Sequence, residues 1–324
     1  MTHNAHSGRR KSDASSNMHL FPGQGTFSVT SLTAALRRSS LLRQSFEEVV
    51  GQTDPVAAAF DQEPLGPALL GAAPPSTTDL ARAGGLELAM FTSSMAVHYA
   101  LSQACGPPSA VVGVSMGDLP ALTAAGAFTV SDGARMTLAA APIQRSCPGR
   151  MIHLACSPRV ADEIIDRSGV RKAAPALVND DRSVVITAPR AGIDAIQDAA
   201  ADQDVPATPV PVPFGSHHPE LGKYADEGYE AISAFEPMPA RIPVYSAAGA
   251  RRYDFQGDIA RQVSDNLITR VMLPNVLRLS MRHRPNVVFD LDTSGSLASS
   301  VRRVLTGDSS VAVHAPLQEE AFPW

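Results

Sequence analysis

Cysteine is scarce in this 324-residue chain: Cys105, Cys147 and Cys156 are odd in number and show no metal-ligand spacing. A disulfide framework and a bound metal are therefore not expected, and the three read as reduced thiols of a cytoplasmic protein. Long apolar runs are missing as well. Nothing approaches the roughly 20 apolar residues of a membrane span, and the first residues lack the apolar core of a signal peptide, so no membrane association is expected. Nor is there an excess of positive charge: 27 Lys and Arg against 32 Asp and Glu leave a formal net charge of -5 and a pI near 6.0. A phosphate backbone asks for a basic surface, which argues against nucleic acid as a partner and for small molecules or proteins.

What the chain does have is enough length for a large core, best read as one large lobe carrying a smaller one. Its centre is Ala110-Val111-Val112-Gly113-Val114-Ser115-Met116-Gly117-Asp118-Leu119. A short β-branched run enters GxSxG, and helix-forming residues with an acid in the first turn follow, so strand, sharp turn and helix start are written there in order. Such an elbow exposes Ser115. Gly113 and Gly117 let the backbone pack closely, and the helix start aims N–H groups at a developing oxyanion. Taken alone, the same five residues also describe an inert serine in a glycine-bracketed turn.

Residues 1–17 mix Ser, His, Asn and Arg9-Arg10-Lys11 with little that is apolar, and are expected to form a disordered tail. Residues 18–21 read as a buried strand running into Pro22-Gly23-Gln24-Gly25, a turn whose amides can supply an oxyanion donor. Residues 31–51 have helical spacing, residues 63–78 read as a surface loop, and residues 80–105 as one long apolar helix beneath the elbow. Ser131-Asp132 would cap a further helix that ends or kinks at Pro142.

Between residues 150 and 212 the pattern changes. Strand 151–156, helix 158–168, strands 176–179 and 183–187 across Asp180-Asp181-Arg182, helix 192–201 and strand 208–212 give the order βαββαβ, the ferredoxin-like unit. Candidate strands 242–245 and 287–291 then resume a parallel sheet. The expected organisation is a large α/β subdomain from residues 18–149 and 213–324, interrupted by a ferredoxin-like small subdomain at residues 150–212.

A serine hydroxyl is a poor nucleophile at neutral pH unless an imidazole removes its proton, so the elbow needs a histidine on a nearby loop. His19, His98, His153 and His283 fall in a strand, a helix, a second strand and an arginine-rich turn, where structural or surface roles prevail. His217 and His218 sit on a loop where strand becomes helix, in Pro213-Phe214-Gly215-Ser216-His217-His218-Pro219.

These residues carry a family resemblance. Phe21-Pro22-Gly23-Gln24-Gly25, Gly113-Val114-Ser115-Met116-Gly117-Asp118, Val178-Asn179 before the strand at 183–187, and Ser216-His217 with downstream Asn266-Leu267 occur in the order seen in malonyl-CoA:acyl carrier protein transacylases and polyketide synthase acyltransferase domains. The chain resembles that family over roughly residues 18–305. The resemblance implies an α/β-hydrolase-like large subdomain with a ferredoxin-like insert. It also implies Ser115 as the acylated nucleophile, His217 as the base, main-chain amides of Gln24 and Met116 as the oxyanion hole, and a carbonyl of Asn266 orienting the histidine. The implied partners are an acyl thioester and an acyl carrier protein, with coenzyme A or the carrier's phosphopantetheine arm as substrate carrier and no bound cofactor.

Departures from the family's pattern bear on the substrate. Malonyl-type members place an arginine on the helix after the elbow helix, where it pairs with the free carboxylate of the acyl group; here Ala140 falls at that position, with Arg135 and Arg145 more than a turn away. The residue before the serine, usually His, is Val114, and the glutamine of the long helix aligns with Phe91. With Asn179 and Phe214, these residues are expected around the acyl group. Each change removes polarity, so a starter or assembled intermediate without a free carboxylate is the expected cargo. The alternatives are a carrier-protein thioester hydrolase, in which water replaces the second thiol, and a catalytically degenerate docking subunit. Arg135, Arg145 and Arg182 are the arginines placed to restore a carboxylate contact. Arg270, Arg278, Arg282, Arg284, Arg302 and Arg303 are candidates for docking an acidic carrier.

Overall fold

The computed structural model describes residues 16–25, 27–306 and 310–324. In chain order the elements are β1 (Asn17–Phe21), α1 (Val29–Arg38), α2 (Ser40–Ala59), α3 (Leu65–Leu70), α4 (Thr77–Arg82), α5 (Leu86–Cys105), β2 (Ala110–Gly113), α6 (Asp118–Ala124) and α7 (Val130–Ser146). Next come β3 (Arg150–Leu154), α8 (Pro158–Ser168), β4 (Ala174–Asp180), β5 (Ser183–Ala188), α9 (Ile193–Ala201) and β6 (Ala207–Pro209). The chain ends with α10 (Gly222–Ile232), β7 (Val244–Ser246), β8 (Arg251–Arg252), α11 (Ile259–Ser264), β9 (Val271–Met272), α12 (Leu273–Ser280), β10 (Val287–Asp290), α13 (Ser296–Val304) and β11 (Ala312–His314).

The larger sheet has the order β11-β10-β1-β2-β7-β8, parallel throughout except for the β7–β8 edge pair. Parallel strands covered on both faces read as continuous apolar runs, which is how β1 and β2 read. Successive residues turn to opposite faces. Val111 packs with Phe21, Phe46 and Met95 beneath α2 and α5, whereas Val112 packs with Met18, Leu20 and Leu277 beneath α12 and α13. The smaller sheet has the order β6-β3-β5-β4, antiparallel, as a βαββαβ chain does when it closes into a ferredoxin-like lobe. β9 adds to its edge, parallel to β4, and so ties the small lobe to the chain that follows it.

Several expectations change in detail. Residues 1–15 of the expected tail lie outside the described residues, but Asn17 belongs to β1. Its buried Nδ2 donates to the carbonyls of Cys105 and Gly106 at the end of α5, which satisfies the amide's donor end and leaves Oδ1 buried without a partner. The helix expected at 80–105 is two, because Gly84, with φ +79°, turns the chain before α5 starts at Leu86. Ser39 splits the 31–51 segment: it is extended, and its hydroxyl accepts from Leu42 N at the start of α2. The 63–78 stretch contains α3 and the start of α4. The cap of α7 is Thr129, accepting from Asp132 N, and the helix continues past Pro142 to Ser146.

The core holds a titratable pair. His19 of β1 and His98 of α5 face each other with Nδ1 atoms 2.9 Å apart, both buried. Burial lowers both, His19 the further for having His98 beside it, and His98 falls to about 4. Well above pH 6.5 both are neutral in the folded and the unfolded chain. As pH falls from 6.5 towards 4 the unfolded chain takes up protons that the fold refuses, so stability drops across that window, by on the order of 3 kcal/mol for His98 alone. Urea unfolding at pH 7.5, 5.5 and 4.5 checks this: the loss should be smaller in His98→Gln, and an equal loss in both proteins would refute it.

Candidate active site

At the end of β2 the chain changes direction within one residue. Val114 is extended, Ser115 takes φ +57°, and a single 3-10 turn, Ser115–Gly117, leads into α6. A non-glycine residue in the left-handed region is strained, and the flanking glycines leave room for the turn to hold it there. A Cβ on Gly113 would lie 2.1 Å from Asp118 Oδ1, and one on Gly117 would lie 2.2 Å from the Phe21 carbonyl oxygen. The N–H of Met116, second in the 3-10 turn, has no acceptor within it. The loop after β1 passes alongside: a Cβ on Gly23 would meet Ser115 Cβ at 3.1 Å, which sets Gln24 next to a residue in contact with Ser115.

Ser115 Oγ lies 2.8 Å from His217 Nε2. The other ring nitrogen, Nδ1, faces two main-chain carbonyls, Asn266 O at 2.8 Å and Thr269 O at 2.9 Å. Two acceptors there assign the proton to Nδ1, so Nε2 turns its lone pair to the serine. His217 is buried, and desolvation lowers its basicity while the Thr269 and Asn266 carbonyls raise it, with a net shift downward from 6.5. His218 is occupied elsewhere: its Nδ1 accepts from Glu220 N and starts the next turn.

The turn carrying those carbonyls is pinned to the elbow helix. Asn266 Nδ2 donates to Asp118 Oδ2 at 2.5 Å, Tyr253 OH donates to the same oxygen at 2.6 Å, and Arg251 reaches Asn266 Oδ1 at 3.2 Å. Asp118 is fully buried, and desolvation raises its carboxyl group against the hydrogen bonds from Ser246, Tyr253 and Asn266. Sequence reasoning named Asp118 only as part of the elbow motif and missed Thr269, Tyr253 and Arg251. Its one signal was an acid directly after GxSxG.

A cleft with about 560 Å³ of empty space, part of it open to solvent, extends from Ser115 and His217 between α7, α10 and α11. Its walls are largely apolar, with Leu119, Ala140, Ile143, Ile232, Val263 and Leu267, and among the described residues no lysine or arginine lines it. Ala140 is thus at the cavity. Phe91 is not: it packs against Gly133 beside a separate 190 Å³ space that shares Met116. Three further residues expected around the acyl group also lie elsewhere. Val114 joins the cluster with Met18, Leu20 and Val112, because the residue before the elbow still follows the strand's alternation. Asn179 donates to Ser183 within the β4–β5 hairpin, and Phe214 packs with Cys147, Met151 and Val212.

Of the arginines weighed for a carboxylate contact, Arg135 pairs with Asp132 on the surface and Arg145 meets Glu87 of α5 at 3.0 Å. Glu87 is 3% exposed, and its second oxygen accepts from Gln24 Nε2 at 3.2 Å. Sequence reasoning passed over Glu87, a lone acid at the start of an apolar helix. Among the arginines weighed for docking, Arg303 pairs with Asp180, while Arg270, Arg278, Arg282 and Arg302 each bond within the chain. Among the described residues no group of three or more His, Cys, Asp or Glu is placed to hold a metal ion, and no helix is long and apolar enough to cross a membrane.

A parallel α/β sheet with an elbow serine bonded to a histidine is the architecture of enzymes that work through a serine nucleophile. The chain belongs to the acyl transferase domain family, whose sequence model matches residues 19–320. Polyketide synthase GfsA of Streptomyces halstedii is 32% identical over 142 residues, covering 43% of this chain and 2% of that protein. The phthioceranic/hydroxyphthioceranic acid synthase of Mycobacterium tuberculosis is 25% identical over 288 residues, covering 88% of this chain and 13% of the synthase. This chain therefore spans a small part of the curated relatives it matches. Among solved structures, a malonyl-CoA:acyl carrier protein transacylase from Xanthomonas oryzae has a TM-score of 0.76 at 22% identity, covering 92% of this chain and 93% of that one. A loading acyltransferase from the avermectin modular polyketide synthase also scores 0.76, at 20% identity, with 92% of each chain covered. At these identities the likeness establishes a shared fold.

Proposed function

We propose that this acyltransferase moves an acyl group without a free carboxylate, through an acyl-Ser115 intermediate, to or between acyl carrier proteins in polyketide-type biosynthesis. The observation that carries the reading is the Ser115–His217 pair opening onto a largely apolar cavity with Ala140 on its wall. A malonyl carboxylate left unpaired there would be costly, whereas an alkyl or aryl chain gains by leaving water.

In the proposed sequence, His217 Nε2 takes the Ser115 proton as Oγ attacks the thioester carbonyl. The amides of Gln24 and Met116 hold the oxyanion, and collapse expels the first thiol, which leaves with the proton from His217. The phosphopantetheine thiol of the carrier then attacks the acyl-Ser115 ester, His217 again moving the proton, and Ser115 is restored. No bound cofactor is needed, since coenzyme A or the carrier arm brings the acyl group. Carbonyl oxygens on Nδ1 stabilise the imidazolium that forms in each half-reaction, the part an aspartate plays in a triad.

Transfer and hydrolysis differ in what attacks the ester. Acyl-Ser115, isolated and followed by intact mass, should persist for many turnovers in buffer and discharge on addition of carrier protein bearing a free phosphopantetheine thiol. Decay at the same rate with and without that thiol would replace the transfer reading with hydrolysis.

A further inference from the structure

Glu87 and Arg145 form an ion pair that the acyl-transfer chemistry does not use. Glu87 sits in the first turn of α5, one carboxylate oxygen on Arg145 Nη1 and the other on Gln24 Nε2. It is therefore fixed against the loop that passes Ser115. Arg145 follows Ile143 and Gln144, both of which line the acyl cavity, and its side chain keeps 36% of its surface exposed while that of Glu87 keeps 4%. A buried acid is thus held between a partly exposed arginine, next in sequence to two residues of the cavity wall, and the side chain of Gln24 on the loop that passes Ser115.

We propose that Glu87 is a specificity-determining residue: it is a built-in carboxylate that occupies Arg145 and so denies that arginine to a carboxylate on the substrate. The inference rests on the reading of the site as one for uncharged acyl groups. A charge-assisted contact that is already made cannot be made again without breaking it, and the acid that holds Arg145 also rests on Gln24 of the loop beside Ser115, from which a carboxylate would be repelled. Carboxylated acyl groups are thereby rejected twice, by the occupied guanidinium and by the residue that occupies it. Alkyl and aryl acyl groups meet neither obstacle.

Glu87→Gln tests this, because the amide keeps an acceptor for Gln24 while releasing the charge on Arg145. The measurement is the initial rate of Ser115 acylation from malonyl and butyryl thioesters on the same carrier, in wild type, Glu87→Gln and Glu87→Gln/Arg145→Met. The malonyl-to-butyryl ratio should rise about 10- to 100-fold in the single variant and fall back in the double variant. Arg145→Gln supplies a second test that does not depend on how well the first variant folds. It leaves Glu87 without its cation and should raise the ratio for β-alanyl over butyryl thioesters, the ammonium now meeting the free carboxylate. If wild type rejects malonyl and neither variant changes its ratio, Glu87 does not set specificity, although the reading of the site survives. A wild type that already prefers malonyl overturns both.

Discussion

Ser115→Ala is expected to form no acyl-enzyme from any thioester donor, and His217→Ala to form it more slowly by on the order of a thousand- to a million-fold. The difference between the two follows from the parts proposed for them: the first change would remove the atom that is acylated, the second only the base that activates it. His217 Nε2 lies 2.8 Å from Ser115 Oγ with its lone pair directed there, within reach to take the proton. His218→Ala should stay within a few-fold of wild type, because that ring is spent on Glu220 N. Since burial lowers the pKa of His217, the base stays neutral as pH falls through 6.5, and the acid limb of kcat/KM should appear below that value. Single-turnover acylation rates for the three variants, with a pH profile for wild type, decide it. A severe His218→Ala beside a mild His217→Ala would move the base by one residue.

Malonyl thioesters are expected to load Ser115 about 30- to 1,000-fold less efficiently than butyryl thioesters on the same carrier, the range a missing bidentate ion pair commands. Ala140 offers no donor at the cavity wall and Arg145 is engaged by Glu87, so the carboxylate would stand unpaired at the transition state of acylation. The butyryl chain loses nothing by comparison and buries apolar surface against Leu119, Ile143 and Leu267. The ratio of kcat/KM values measures this directly, and a clear malonyl preference would show that a cation reaches the pocket.

What could be read from the sequence, and what could not, divides along a physical line. The elbow was legible because its chemistry is local: a β-branched run, two glycines where a Cβ would strike neighbouring atoms, and an acid in the first helical turn all lie within a few residues. The ferredoxin-like lobe was legible because its order of strands and helices follows from period and turn residues. His217 was found by its loop, and the orienting carbonyl of Asn266 was expected from the family resemblance. Side chains whose direction depends on helix rotation or tertiary contact were harder. Phe91 and Glu87 are one turn apart on α5, yet Glu87 meets Gln24 while Phe91 packs on Gly133, and an almost uniformly apolar helix gives no periodic signal to tell them apart. Val114 precedes the serine, but the alternation of its strand turns it into the cluster with Met18, Leu20 and Val112. Asp118, Tyr253 and Arg251 come from distant segments, and only folding brings them to Asn266.

The central claim is that Ser115 carries an acyl group without a free carboxylate between thiols. Wild-type protein incubated with a panel of acetyl, butyryl, benzoyl, malonyl and methylmalonyl thioesters, then digested and mapped by mass spectrometry, tests it most directly. The account predicts adducts from the uncharged donors on the peptide bearing Ser115, little or none from the two carboxylated donors, and loss of the adduct when a carrier thiol is added. Adducts confined to malonyl or methylmalonyl donors, or no adduct at Ser115 from any donor, would contradict it.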